Sequence, residues 1–138
     1  MKRVLFDTNV ILDIILERLP YYDDAAKLFM LIDERVIAGC VTASSITDIY
    51  YVTKKAKGHA IALALITDII DILDVIGISR RVIVDALRSS MKDFEDAVQV
   101  SAATFAEIEY IVTRNTRDFD SALLPVYDPA NFIEMIRE

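Results

Sequence analysis

Short runs of consecutive apolar residues, separated by stretches with helical character, constrain the fold of this chain more than any other feature. Three of these runs are residues 4–6 (VLF), residues 37–41 (IAGCV) and residues 110–112 (YIV). A strand that is apolar throughout is buried on both faces, which is typical of a parallel sheet covered by helices. We therefore predict a three-layer α/β/α domain with a central parallel sheet.

Periodicity, caps and helix breakers predict the remaining elements. No repeat, linker or change in composition divides the 138 residues, so we predict a single domain over residues 1–138. Further strands are predicted at 75–78 and 123–127. Helices are predicted at 10–18, from a cap at Asp23 or Asp24, from a cap at Ser44 or Ser45, at 60–73, 82–87 and 97–105, and from Pro129.

Composition excludes several classes of protein. Cys40 is the only cysteine, which excludes a disulfide framework and a cysteine zinc site, and we expect it to be buried. The net charge of −7 disfavours a protein that binds nucleic acid passively through phosphate neutralisation. It does not exclude an enzyme whose carboxylates hold cations that meet the phosphates.

The most apolar stretch, residues 60–78, carries acidic residues that argue against a membrane segment. Asp68, Asp71 and Asp74 recur there at a spacing of three and would place charge in the bilayer. The N-terminal apolar run is interrupted at once by Asp7, unlike a signal peptide. We expect a soluble, cytoplasmic protein with no membrane contact.

Acidic residues follow the predicted strands at the edge where parallel sheets form their sites. Asp7 follows the first strand directly, and Asp118 lies in the polar segment 113–119 after the strand at 110–112. Asp48 lies in the first turn of the helix after the second strand, and Asp96 lies near the start of a later helix. These four carboxylates could therefore meet at one edge of the sheet.

Structural roles offer a competing explanation for most of these acids. Asp48 could be part of a helix capping box. Asp93 could cap the later helix while Asp96 interacts with the dipole of that helix. Asp118 could be a turn residue. Asp7 is different, because a helix-start role suits Thr8 or Asn9 more naturally. Spacing alone leaves both explanations open.

Three segments in the order V-L-F-D-T-N-V-I-L-D, D-F-E-D-A-V-Q-V-S-A-A and I-V-T-R-N-T-R-D-F span most of the chain. Together they resemble the PIN-domain nucleases and, within these, the VapC-type toxins of prokaryotic toxin–antitoxin pairs. The resemblance implies that Asp7, Asp96 and Asp118 are the first, third and fourth acids of the family site. The second acid is usually a glutamate, and Asp48 is the best match, with a shorter side chain.

The same resemblance implies a metal-dependent endoribonuclease, in which the four acids hold Mg²⁺ or Mn²⁺. Hard divalent cations prefer oxygen ligands and activate water for phosphodiester hydrolysis. Arg114 and Arg117, beside Asp118, are the candidates for binding RNA phosphates. The supporting residues are Asn9, Asn115, the hydroxyl of Thr113, and Asp93 as a helix cap or outer ligand.

The resemblance also implies protein partners, namely a homodimer contact and a cognate antitoxin. Tyr21, Tyr22 and Phe29 are candidates for either contact, and core burial is the alternative. A non-catalytic PIN-like domain that binds RNA or protein is the main alternative function, because Asp48 replaces the usual glutamate. A phospho-acceptor domain fits poorly, since no acceptor aspartate at a mid-chain strand end is paired with a later lysine.

Overall fold

Five parallel strands form the central sheet of the computed structural model, which describes residues 1–119 and 122–138. Their spatial order is β3-β2-β1-β4-β5, so β1 lies at the centre, and the chain crosses from one side of it to the other between β3 and β4. The strands are β1 (Lys2–Phe6), β2 (Ile37–Thr42), β3 (Asp74–Ile76), β4 (Tyr110–Val112) and β5 (Val126–Tyr127).

Helices cover both faces of this sheet, which confirms the predicted three-layer fold. Val4 and Phe6 of β1 point into the core under α1, α2, α3, α4 and α7, whereas Leu5 points into the core under α5 and α6. The helices are α1 (Thr8–Ile15), α2 (Tyr22–Asp33), α3 (Ala43–Lys57), α4 (His59–Ile72), α5 (Arg80–Leu87), α6 (Phe94–Phe105) and α7 (Pro129–Ile136).

Several helix starts differ from the prediction. The N-cap of α3 is Thr42, whose hydroxyl accepts the Ser45 N–H at 3.3 Å, so the predicted caps Ser44 and Ser45 lie inside the helix. Asp23 and Asp24 do not cap α2, which begins at Tyr22 without a side-chain cap. They lie in its first turn, where the helix dipole favours negative charge.

Two predicted starts are confirmed and one strand is shorter than predicted. Asp93 caps α6, and Pro129 is the first residue of α7. The strand predicted at 123–127 is reduced to two residues, because Pro125 has no N–H for the ladder and Leu123 is exposed. The strand predicted at 75–78 instead spans Asp74–Ile76.

The length and apolar character of the helices decide whether any of them could cross a membrane. Over residues 1–119 and 122–138, no helix has the combination of length and apolar character that crossing a bilayer requires. Cys40 is buried in the sheet, as predicted.

Candidate active site

Asp7, the residue directly after β1, has a carboxylate fixed by three hydrogen-bond donors. Its Oδ1 accepts from the Thr8 N–H at 2.8 Å and from Nε2 of Gln99 at 3.0 Å, and its Oδ2 accepts from the Thr113 hydroxyl at 2.7 Å. The residue is only 7% exposed. Three donors offset the cost of burying this carboxylate. The bond from Thr8 makes Asp7 itself the N-cap of α1, a role that the sequence suggested for Thr8 or Asn9.

The segment after β4 folds towards Asp7 through a chain of hydrogen bonds. The Thr113 hydroxyl, which donates to Asp7, accepts the N–H of Asn115 at 3.1 Å. The Asn115 carbonyl in turn accepts the N–H of Asp118 at 3.0 Å. Asp118 lies in a 3₁₀ turn, Thr116–Phe119, that is anchored by the buried ring of Phe119. A continuous series of bonds therefore links the backbone of Asp118 to the carboxylate of Asp7.

The start of α3 is joined to the start of α1 by a pair of hydroxyl groups. The Thr8 hydroxyl donates to Oγ of Ser45 at 2.8 Å, and Ser45 is buried. Asp48 follows one turn later on α3. The capping and hydroxyl contacts thus hold the N-termini of the helices after β1 and β2 side by side.

The start of α6 contributes acids from the opposite layer. Oδ1 of Asp93 accepts the N–H of Asp96 at 2.9 Å, which fixes the first turn. Glu95, Asp96 and Gln99 then lie on one side of the helix, because residues three and four apart are neighbours on a helix surface.

These elements enclose a cleft of about 300 Å³ at the carboxyl ends of β1 and β4. All four predicted acids line it, as do the supporting residues Asn9, Asp93 and Asn115, while Thr113 lies behind Asp7. None of the described lining residues is Lys, Arg or His. The lining residues are Asp7, Thr8, Asn9, Asp48, Asp93, Glu95, Asp96, Gln99, Asn115 and Asp118.

Crowding of like charges raises the pKa of two carboxyl groups in the cleft. Burial, followed by the charges of Asp93, Asp7 and Asp118, raises the pKa of Asp96 to about 6. A hydrogen bond with Asp48, followed by burial and the neighbouring acids, raises the pKa of Glu95 to about 7. Both groups resist ionisation because the described residues that line the cleft include no positive charge to compensate them.

The donor set of the cleft fits a hard divalent cation. Carboxylate, amide and hydroxyl oxygens are the ligands that Mg²⁺ and Mn²⁺ prefer. Among the residues that the structure describes, no three acidic, histidine or cysteine side chains are close enough to coordinate one ion directly. A hydrated Mg²⁺ needs only one or two direct carboxylates.

Glu95 and Gln99 line the cleft but were not predicted from the sequence. The segment D-F-E-D was interpreted only through the spacing between Asp93 and Asp96. Extending the same helical periodicity from Asp96 to Gln99, and from Glu95 to Gln99, would have placed both residues on the acidic side of α6.

Arg114 lies outside the cleft, although the sequence suggested that it binds phosphate there. Its Nε is 2.8 Å from Oδ2 of Asp13 as an ion pair, and its Nη2 donates to Oδ1 at 3.3 Å. The guanidinium also stacks on the ring of Tyr21, 3.8 Å from the centroid. Arg117 is exposed beside Asp118 and does not line the cleft either.

Glu95→Gln is expected to stabilise the metal-free chain, and more so as the pH rises from about 5 to 8. The pKa of Glu95 is about 7 when folded and close to its ordinary 4.5 when unfolded, so the folded state keeps a proton that the unfolded state has released. The wild type therefore loses stability as pH rises through this window, whereas glutamine does not titrate. Urea unfolding in EDTA at several pH values measures the difference.

Glu134, exposed on α7, supplies the matched control for this measurement. Glu134→Gln should change the free energy of unfolding by a similar small amount at every pH. A stability difference for Glu95→Gln that stays constant across the range would contradict the raised pKa.

Comparison with known proteins identifies the family. The family model described as PIN domain matches residues 3–117 of the chain. The chain belongs to the PIN domain family. The match begins within β1 and ends at Arg117, so it includes every lining residue of the acidic cleft except Asp118, which directly follows it. Comparison with curated protein sequences found no match.

Solved structures share the fold of this PIN domain at low sequence identity. A toxin–antitoxin complex from Klebsiella pneumoniae matches with a TM-score of 0.69 at 22% identity, covering 91% of this chain and 97% of that one. DNA-bound VapBC from Salmonella typhimurium matches with a TM-score of 0.70 at 18% identity, covering 94% and 99%. VapC20 of Mycobacterium tuberculosis, a Sarcin-Ricin loop cleaving toxin, matches with a TM-score of 0.63 at 12% identity, covering 78% and 86%.

Proposed function

We propose that this PIN domain is a metal-dependent endoribonuclease that hydrolyses RNA phosphodiester bonds and acts as the toxin of a toxin–antitoxin pair. The observation that carries the proposal is the cleft at the carboxyl ends of β1 and β4. Six carboxylates line it without a Lys, Arg or His among the described lining residues. Such a concentration of negative charge is suited to cations that bring phosphate to the site.

Asp7, Asp96 and Asp118 are proposed to hold Mg²⁺ or Mn²⁺, together with Asp48. When bound, the cation would make a water nucleophilic and stabilise negative charge on the phosphate. Asp48 is shorter than the glutamate usual at its position, and Glu95 reaches it from α6. We propose that Glu95 supplies the reach that Asp48 lacks.

The protein's own contribution is to hold these acids rigidly. Asp7 cannot rotate freely, because three donors fix both of its oxygens. Arg117, exposed next to Asp118, is proposed to bind an RNA phosphate beside the cleft. The role of Arg114 is then to brace the same loop through Asp13.

The proposed partners are a cognate antitoxin and a second copy of the chain. The Klebsiella and Salmonella neighbours are toxin–antitoxin assemblies, and VapC20 is a toxin, which supports the partner by analogy. Of the residues predicted for such contacts, Phe29 instead packs on Phe6 with 5.8 Å between the ring centroids, and Tyr21 covers Arg114. Exposed apolar side chains lie on α4 at Ile61, Leu63, Ile70 and Ile72, and they support a contact there.

Purified protein is expected to cleave mixed cellular RNA with Mn²⁺ or Mg²⁺ and to lose this activity in EDTA. Adding excess Mn²⁺ to the chelated sample should restore cleavage, because EDTA removes only the cation and leaves the acids of the cleft unchanged. Gel analysis of the RNA measures the result. Cleavage that is unaffected by EDTA would contradict the proposal.

Calorimetric titration with Mn²⁺ covers the case of a narrow substrate range. A folded chain that binds Mn²⁺ but leaves mixed RNA intact would direct the search towards a specific RNA. A folded chain that binds no Mn²⁺ would favour the non-catalytic PIN-like domain.

A further inference from the structure

Gln99 is a buried residue that lines the acidic cleft. It lies on α6, is 5% exposed, and donates from Nε2 to Oδ1 of Asp7 at 3.0 Å. The amide orientation follows from chemistry, because the reverse orientation would place its carbonyl oxygen against a carboxylate oxygen. Donation to Asp7 therefore fixes where the carbonyl oxygen Oε1 is placed.

The carbonyl oxygen of Gln99 is buried and has no hydrogen-bond partner within residues 1–119 and 122–138. A buried acceptor left unsatisfied destabilises a folded protein, so such atoms call for a specific explanation. Gln99 lines the acidic cleft, whose other lining groups are oxygen-rich and lack basic residues. The missing partner is therefore a group that oxygen atoms bind, such as a cation or its bound water.

Thr53 provides an internal comparison. Its hydroxyl oxygen is also buried with no partner among the described residues, but Thr53 lies towards the far end of α3 and does not line the cleft. An unpartnered oxygen thus also occurs away from the acids, where no cation is expected. Substitution at Gln99 should affect cation binding, whereas substitution at Thr53 should not, so the two residues distinguish a role in cation binding from a simple packing defect.

We propose that Gln99 is part of the cation site, with Nε2 orienting Asp7 and Oε1 facing the hydrated cation. This inference rests on the proposed function. An amide oxygen is a hard, neutral donor suited to Mg²⁺ or Mn²⁺ and to their bound waters. A neutral donor also adds no charge to a cleft that already contains six carboxylates. Gln99 thus acts both as a positioning residue through Asp7 and directly through its carbonyl.

Calorimetric titration of the full chain with Mn²⁺ tests the proposal with three variants. Gln99→Met keeps the length but removes both polar atoms, and Mn²⁺ affinity should fall about 10- to 100-fold, the usual effect of losing an outer-shell partner. Gln99→Glu keeps an oxygen towards the cation, so its affinity should stay within about threefold of wild type or rise. Its metal-free melting temperature should fall, because the new carboxylate faces Asp7, and Mn²⁺ should recover it. Thr53→Val should leave Mn²⁺ affinity unchanged.

The outcomes separate this inference from the proposed function. Wild-type affinity in a folded Gln99→Met variant would overturn the role of Gln99 and leave the nuclease proposal intact. Absence of Mn²⁺ binding in the wild type would overturn both. If Gln99→Met does not fold, Gln99→Asn decides, because it withdraws the amide by one methylene and should weaken Mn²⁺ binding if the proposal holds. Unchanged affinity in that variant would overturn it.

Discussion

Asp96→Asn is expected to lower metal-dependent RNA cleavage about 100-fold or more while leaving the chain folded. The charges of Asp7, Asp93 and Asp118 all act on Asp96 and help to raise its pKa, so a cation bound among these acids would lie close to Asp96. A bound cation contributes several kcal/mol of transition-state stabilisation, and losing about 2.7 kcal/mol of it slows a reaction about 100-fold. Asparagine preserves the shape of the side chain, and the bond from the Asp96 N–H to Asp93 does not involve that side chain.

Asp7→Asn provides an independent test of the same site. Its new amide group would face the Thr113 hydroxyl or the Gln99 amide, both of which now donate to Asp7, so cleavage should fall and stability should decrease modestly. Circular dichroism and thermal unfolding establish that each variant is folded before cleavage is measured. Asp33→Asn, at the exposed end of α2, is the matched control and should cleave like wild type. Equal cleavage by all four proteins would mean that the activity does not come from this cleft.

The fold was predictable because its signals are local. Apolar runs, helix periods and single residues such as Pro129 act within a few positions of the sequence, and they gave the three layers and most of the elements. The errors lie at ends, where competition between neighbouring groups decides. Thr42, the last residue of β2, accepts the N–H of Ser45, so α3 begins before either predicted cap.

The meeting of the four predicted acids in one cleft was predictable because parallel strands carry such residues to one edge of the sheet. What could not be predicted was how residues distant in sequence engage one another. Gln99 and Asp7 are 92 residues apart, and their contact depends on how α6 packs beside β1. Arg114 was assigned to phosphate because its neighbours are site residues, but its partner Asp13 lies 101 positions away.

The buried ion pair between Asp13 and Arg114 is therefore a structural element that supports the site. Asp13 lies on α1, and its side chain is 2% exposed. Oδ1 of Asp13 also lies 3.8 Å from Nη1 of Arg18. Arg114 follows Thr113, which donates to Asp7, and precedes Asn115, whose N–H bonds back to Thr113. The pair thus joins α1 to the loop whose Thr113 orients Asp7.

Asp13→Ala is expected to destabilise the chain by about 3 kcal/mol, because removing one member of a buried pair leaves its partner uncompensated, at a typical cost of about 3–5 kcal/mol. The lower end applies because Arg114 and Arg18 keep some contact with water. Asp85→Ala, which breaks the exposed pair with Arg81, is the matched control and should cost under about 1 kcal/mol. Urea unfolding measures both variants.

The double variant Asp13→Leu with Arg114→Met tests the reason for this loss and should recover most of the stability. Burial raises the pKa of Asp13 more than Arg114 and Arg18 lower it, so desolvation outweighs pairing at this position. Replacing a buried pair by apolar side chains of similar volume is accordingly close to neutral. Recovery of stability without recovery of RNA cleavage would show that the pair orients the loop carrying Thr113. A double variant as unstable as Asp13→Ala would instead mean that the pair itself contributes the stability.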